Sequence, residues 1–150
     1  HRDLHSFPTR RSSDLLLVHG SPSDPIREYV LPRAAADAPR LAEWFRAMGA
    51  HRLCFIGHSH VPSAITPAGG VFLPGEQGMT VETAQMRYIV NVGSVGQPRD
   101  GDPRACFATL EEGGTVTFHR VPYDVRGAMA RIRAVPELPD TLAERLEQGR

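Results

Sequence analysis

Two histidines stand two residues apart in Leu53-Cys54-Phe55-Ile56-Gly57-His58-Ser59-His60-Val61-Pro62. Neutral imidazole is a common metal ligand. In an extended segment residues i and i+2 point to the same side, so His58 and His60 can face one site. They can converge on one ion, or each take one ion of a two-metal pair whose members sit about 3.5–4 Å apart. The competing reading puts one histidine in a turn and the other in solvent. A third imidazole has a similar setting, because Leu15-Leu16-Leu17-Val18 runs directly into His19 and Gly20.

Chemistry of this kind needs elements to carry it. Leu53 to Ile56 reads as a fully buried strand closed by Gly57, and the apolar run before His19 reads the same way. Ligands of open α/β layers bind just past the carboxyl ends of strands. If these two strands are neighbours, all three imidazoles meet. His51 precedes a strand and His119 ends a late one, so both read as surface residues.

Three segments resemble the calcineurin-like metallophosphoesterases, in particular bacterial stand-alone members. They are Leu-Leu-Leu-Val-His-Gly at 15–20, Phe-Ile-Gly-His-Ser-His-Val-Pro at 55–62, and Ile-Val-Asn-Val-Gly-Ser-Val-Gly-Gln-Pro-Arg-Asp-Gly-Asp-Pro-Arg-Ala-Cys-Phe-Ala-Thr-Leu-Glu at 89–111. The resemblance implies an α/β fold, the C-terminal half of a four-layer α-β-β-α sandwich. It also implies a dinuclear centre hydrolysing phosphodiester or phosphomonoester bonds through a metal-bridging hydroxide. Carried over by motif, His19 and His58 bind one ion and His60 the other. The ions would be two divalent metals, and imidazole with carboxylate and water suits Mn, Fe, Zn or Co alike. Asn91 and Ser94 either orient the site from behind the ligands or fix a tight turn, and the turn is favoured.

The family's earlier blocks, a D-x-H followed in order by G-D and G-N-H, do not occur as a series ahead of His19, so the histidine that assists the leaving group has no counterpart here. Residues 1–15 are expected to be a non-native leader: back-translated, they resemble a standard sequencing adapter read in one frame. Residues 16–150 are expected to be the C-terminal part of the phosphoesterase domain, without turnover of its own. The substrate would be a small phosphoester or a nucleotide. The alternative is a non-catalytic binding module on the same scaffold. A metallo-β-lactamase-like reading is disfavoured, because its pair continues H-x-H-x-D-H whereas His60 is followed by Val61, Pro62 and Ser63.

The 150-residue chain has no lysine. Without the first fifteen residues it carries 14 arginines against 15 acidic side chains, so nothing marks an electrostatic nucleic-acid binder. No run of 18 apolar residues suggests a membrane span, and the family's usual compartment is the cytoplasm. Cys54 and Cys106 lie inside strands and read as small buried hydrophobes.

Further elements follow from local signals. Asp24, Arg27 and Glu28 lie in a proline-rich loop and read as solvated. A helix is capped by Asp37, carries Leu41, Trp44, Phe45 and Met48 on one face, and stops at Gly49. Residues 64–85 read as a hairpin with a variable loop. A strand ends at Asn91 and Ser94, and Asp100-Gly101 reads as a hairpin turn. Two strands join through Gly113-Gly114. Asp124 caps a helix bearing Val125, Met129 and Ile132. The box Thr141-x-x-Glu144 opens a last helix that ends at Gly149.

Overall fold

The computed structural model describes residues 14–150. Residues 1–13, most of the expected leader, lie outside the described residues. Five strands form one sheet in the order β1-β2-β6-β3-β4: β1 (Leu15–Leu17), β2 (Leu53–Ile56), β6 (Tyr88–Asn91), β3 (Ser63–Ile65) and β4 (Val71–Phe72). The pairs β1–β2 and β2–β6 are parallel, with Leu15 opposite Leu53 and Phe55 opposite Val90. The other pairs are antiparallel. A second, antiparallel sheet has the order β5-β8-β7: β5 (Met79–Glu82), β8 (Thr115–Val121) and β7 (Ala105–Leu110).

Alternation along the strands of the first sheet builds two cores. Leu16, Cys54, Ile56, Ile65 and Ile89 face the first helix, α1 (Ala38–Ala47), and pack on its Leu41, Trp44 and Phe45. Leu53, Ala64, Tyr88 and Val90 point the other way and meet Val81, Cys106, Val116 and Phe118 of the second sheet. A sheet buried on both faces explains why Leu53 to Ile56 is continuously apolar. Each fully buried Ile, Leu or Phe contributes about 1.5–3 kcal/mol. The resulting helix–sheet–sheet order is a mixed α/β fold, as expected. α2 (Val125–Arg133) and α3 (Thr141–Gln148) pack on each other through Met129, Ala143 and Leu146. Among the described residues no helix is long and apolar enough to cross a membrane.

α1 follows its sequence signals closely. The Asp37 side chain accepts a hydrogen bond from Arg40 N, Trp44 is fully buried, and Gly49 takes φ 58° just past the helix. Cys54 and Cys106 are both buried and free, and burial pushes the Cys54 thiol up to about 12.

Three local expectations are corrected. Asp100-Gly101 is not a hairpin turn, because the strands on either side, β6 and β7, belong to different sheets. Residues 64–85 are divided: β3 and β4 form a hairpin in the first sheet, and β5 crosses to the edge of the second. The Thr141–Glu144 box is not formed either. Asp140 occupies the N-cap without a side-chain bond, and Thr141 is already helical.

Candidate metal centre

β1 and β2 are parallel neighbours, so both release their chains at the same end of the sheet. Gly57 N donates to the His19 carbonyl at 3.0 Å, which continues the ladder past β2 and sets the two histidine-bearing turns side by side. The rings of His19 and His58, 39 residues apart, meet with Nε2 and Nδ1 separated by 2.8 Å. His58 Nε2 donates to the Arg27 carbonyl at 3.1 Å, and His60 Nδ1 donates to the Gln97 carbonyl at 2.7 Å. Each histidine of the pair thus has one nitrogen fixed by a backbone acceptor and the other left with a lone pair. Ligating imidazoles are oriented in this way.

The segment is not extended, as the i, i+2 argument required. The strand ends at Ile56, and His58 and His60 adopt left-handed backbone, with φ of 50° and 60°. Such conformations cost about 1–3 kcal/mol each and persist where the surroundings over-determine them. Here the surroundings are Asn91, fully buried beneath the turn. Its Nδ2 donates to Gly57 O at 2.6 Å and to Ser59 Oγ at 2.8 Å, while its Oδ1 accepts from Gly93 N at 3.0 Å. One amide therefore ties the His58 turn to the turn after β6. Gly93 has φ 80°, and a Cβ there would stand 2.8 Å from Cys106 Sγ, so the position excludes a side chain. Ser94 Oγ accepts from Gln97 N at 2.9 Å and shapes the loop whose carbonyl holds His60.

The loop after His19 is equally fixed. His19 N and Gly20 N both donate to Pro25 O, and a Cβ on Gly20 would meet Asp24 O at 2.5 Å. Glu28 is not merely solvated. Its carboxylate accepts from Ser21 Oγ, from Ser23 Oγ at 3.0 Å, from Trp44 Nε1 at 2.9 Å and from the Arg40 guanidinium. Asp24 caps its own turn through Arg27 N at 3.1 Å. This anchoring carries Tyr29 onto His58, with ring centroids 3.9 Å apart and planes inclined by 28°.

The electrostatics favour neutral His19 and His60. Burial lowers the pKa of His19, and the charges of His58 and His60 lower it further. Burial is also the main cause lowering His60, opposed by the Gln97 carbonyl and assisted by Arg99 and His58. An opening of about 370 Å³, bordered by Leu17, Val18, His19, Phe55 and Val92, lies at these strand ends and is large enough for a small ligand. A larger cavity of about 600 Å³, bordered by Glu76, Asp100, Asp102, Arg104 and Arg120, contains no histidine. Ion pairs within its own lining, Arg104–Asp102 and Arg120–Asp100, engage four of its charged side chains.

The donor chemistry suits a divalent ion. Two nitrogens on one tetrahedral zinc, with bonds of about 2.0–2.1 Å, stand about 3.3 Å apart. The His19–His58 pair at 2.8 Å would have to part by only about half an ångström. Among the described residues, no group of three or more His, Cys, Asp or Glu side chains is arranged to hold an ion. His19 and His58 touch, whereas His60 is turned to Gln97. His51 and His119 stand apart from the three. His119 stacks on Phe107 with centroids 4.8 Å apart and meets Thr109 Oγ1 at 2.9 Å. Sequence reasoning missed Tyr29 and the carbonyls of Arg27 and Gln97. Backbone acceptors leave no trace in residue type, and an aromatic in a proline-rich loop carries no periodicity to place it.

Comparison with known proteins identifies the family. The sequence model of the calcineurin-like phosphoesterase superfamily domain matches residues 3–114, and the chain belongs to that superfamily. A metallophosphoesterase from Sphaerobacter thermophilus superposes with a TM-score of 0.85 at 40% identity, covering 98% of this chain and 60% of that one. An uncharacterized protein of Methanocaldococcus jannaschii is 32% identical over 142 residues, covering 93% of this chain and 54% of its own length. A hypothetical protein of Pyrococcus horikoshii shares the fold, with a TM-score of 0.64 at 22% identity over 91% of this chain and 46% of its own. The chain thus spans between about half and three fifths of these relatives.

Proposed function

We propose that the full-length protein carrying this sequence is a metal-dependent phosphoester hydrolase, and that His19, His58 and His60 supply nitrogen ligands to its two divalent ions. The observation that carries this reading is the convergence of His19 and His58 at 2.8 Å from the ends of two parallel strands. Manganese, iron, zinc or cobalt all suit such ligands. When bound, the ions would lower the pKa of a water and neutralise charge on the phosphoryl oxygens.

The chain's own contribution is to hold the imidazoles. Arg27 O and Gln97 O fix the proton positions on His58 and His60. Asn91 holds the strained turn between them. Neutral His19 and His60 would keep their lone pairs available. Asn91 and Ser94 act through the backbone rather than on substrate. No carboxylate joins the histidines among the described residues, so the 150-residue chain alone is proposed to lack turnover. Residues 1–15 would add nothing beyond the start of β1, and the cytoplasm is the proposed compartment.

The test is hydrolysis of bis(p-nitrophenyl) phosphate and p-nitrophenyl phosphate by the full-length protein, with manganese, zinc, cobalt or iron and after chelation. Metal-dependent turnover of either ester, abolished by chelator and restored by metal, is expected. If neither ester is cleaved with any of the four metals, the scaffold serves only for binding.

A further inference from the structure

Asn91 holds Gly57 and Ser59, but His60 itself, at φ 60°, is secured by a different segment. The loop at 97–99 grips it twice. Arg99 N donates to His60 O at 3.2 Å, and the ring donates from Nδ1 to Gln97 O at 2.7 Å. This loop lies between β6 and β7 and belongs to neither sheet, so no ladder fixes it. Two of its bonds run instead to the end of α3. Gln97 Nε2 donates to Arg150 O at 3.0 Å, and Gly101 N donates to Gly149 O at 3.0 Å.

The end of α3 has the form this contact needs. Gly149 takes φ 63°, and Arg150 N donates back to Arg145 O at 2.9 Å. That closure is of the Schellman type, which stops the helix and leaves the carbonyls of Gly149 and Arg150 free to accept from the loop. The fit is close: a Cβ on Gly149 would stand 2.6 Å from Asp102 N and 2.8 Å from Gly101 C. α3 is held in turn by α2, through Met129, Ala143 and Leu146, in a cluster separate from both sheet cores. A helical pair with its own small core thus reaches one histidine through one loop. His19 and His58 meet without it.

Resting on the phosphoesterase reading, we infer that the end of α3 positions the His60 ligand alone: Gly149 and Gln97 are positioning residues that hold the loop so that His60 keeps its proton on Nδ1 and offers Nε2 to its ion. The tautomer of a ligating histidine is set by the bond its other nitrogen makes. His58, which donates from Nε2 to Arg27 O, carries the opposite tautomer and owes nothing to α3. Outer partners of ligand histidines tune metal affinity about 10- to 100-fold. Loosening the clamp should therefore weaken one ion and spare the other.

Nitrogen-15 NMR of the histidine-labelled, metal-free full-length protein at pH 8 reads these tautomers, with His58→Gln and His60→Gln supplying the assignments. The parent should show His60 protonated on Nδ1 and His58 on Nε2. Gly149→Ala and Gln97→Met should each turn His60 into a mixture of tautomers and leave His58 unchanged. Zinc titration of the same proteins should show two sites in the parent and one of them weakened about 10- to 100-fold in each variant. If Gly149→Ala fails to fold, Gln97→Met decides, since it removes only side-chain bonds to Arg150 and Arg99. An unchanged His60 tautomer in a folded variant, or zinc sites both kept or both weakened, overturns the role of α3, while two-site binding by the parent leaves the hydrolase reading standing. A parent that binds no zinc fails the hydrolase reading, and the positioning role falls with it.

Discussion

The two sheets end in different ways. In the second, β7 and β8 are joined through Gly113 and Gly114, both with positive φ, and the ladder runs regularly from Ala105–Val121 to Leu110–Val116. Its histidine, His119, lies on a strand and stacks on Phe107. In the first, β1, β2 and β6 run on by a bond or so into turns, and polar side chains bind those turns together. Asn91 does this for the His58 turn and Glu28 for the loop after His19. A hairpin satisfies its own backbone. Parallel strands must diverge, so their carboxyl ends expose backbone groups and leave room for side chains from several loops to meet. That geometry suits a site, and it is stabilised by hydrogen bonds to other elements rather than by the ladder.

The comparison can be broken most forcefully at Asn91. Replacement by Ala leaves Gly57 O, Gly93 N and Ser59 Oγ without their partner in a buried position, which should cost about 3 kcal/mol in urea unfolding. A loss below about 1 kcal/mol would mean that the turn holds itself.

A pH series separates the two turn systems more finely. His19 and His60 have lowered pKa values, chiefly through burial. The folded state therefore resists protonating them, and the melting temperature should decline as pH falls through the ordinary imidazole value of 6.5. Burial raises the pKa of Glu28, but hydrogen bonds from Ser21, Arg40, Trp44 and Ser23 outweigh it and bring the carboxyl below its ordinary 4.5. Its contribution is present above that value and lost as pH falls further. Glu28→Gln should diminish this second decline and leave the first. Calorimetric melting from pH 8 to 3 would show both steps, and a single decline below pH 4.5 would count against neutral histidines at the site.

The smallest effects belong to the second sheet and the chain start. His119→Ala should change stability by less than about 0.5 kcal/mol, and so should removal of residues 1–12. A loss of several kcal/mol on that removal would contradict their expected role as a leader.

Much of this architecture was legible because some signals are local and complete. Asp37, Pro39 and the Leu41, Trp44, Phe45, Met48 stripe specify α1 without outside help. Asp100-Gly101 shows the opposite case. The dipeptide signals a turn, but whether the flanking strands pair depends on which sheet each one joins. β3 is three residues long and lies in a proline- and glycine-rich stretch, so it exists only through its pairing with β6 and β4. At the site, residue types and strand ends pointed to His19, His58 and His60. The left-handed backbone at His58 and His60 was hidden, because alternation assumes an extended chain. Asn91 looked like one turn's residue, yet it serves two, since its donors reach a strand neighbour 34 positions away in sequence.

The central claim is that imidazoles at the ends of β1 and β2 hold the metal on which hydrolysis depends. Metal content and phosphodiester turnover of the full-length protein, compared for His58→Ala, His60→Ala and His51→Ala, test it most directly. His58→Ala and His60→Ala should each lose metal and about 100-fold or more in rate, since small misplacements of a reacting group have effects of that size. His51→Ala should keep both. Two retained metals and near-parental turnover in both His58→Ala and His60→Ala would contradict the account.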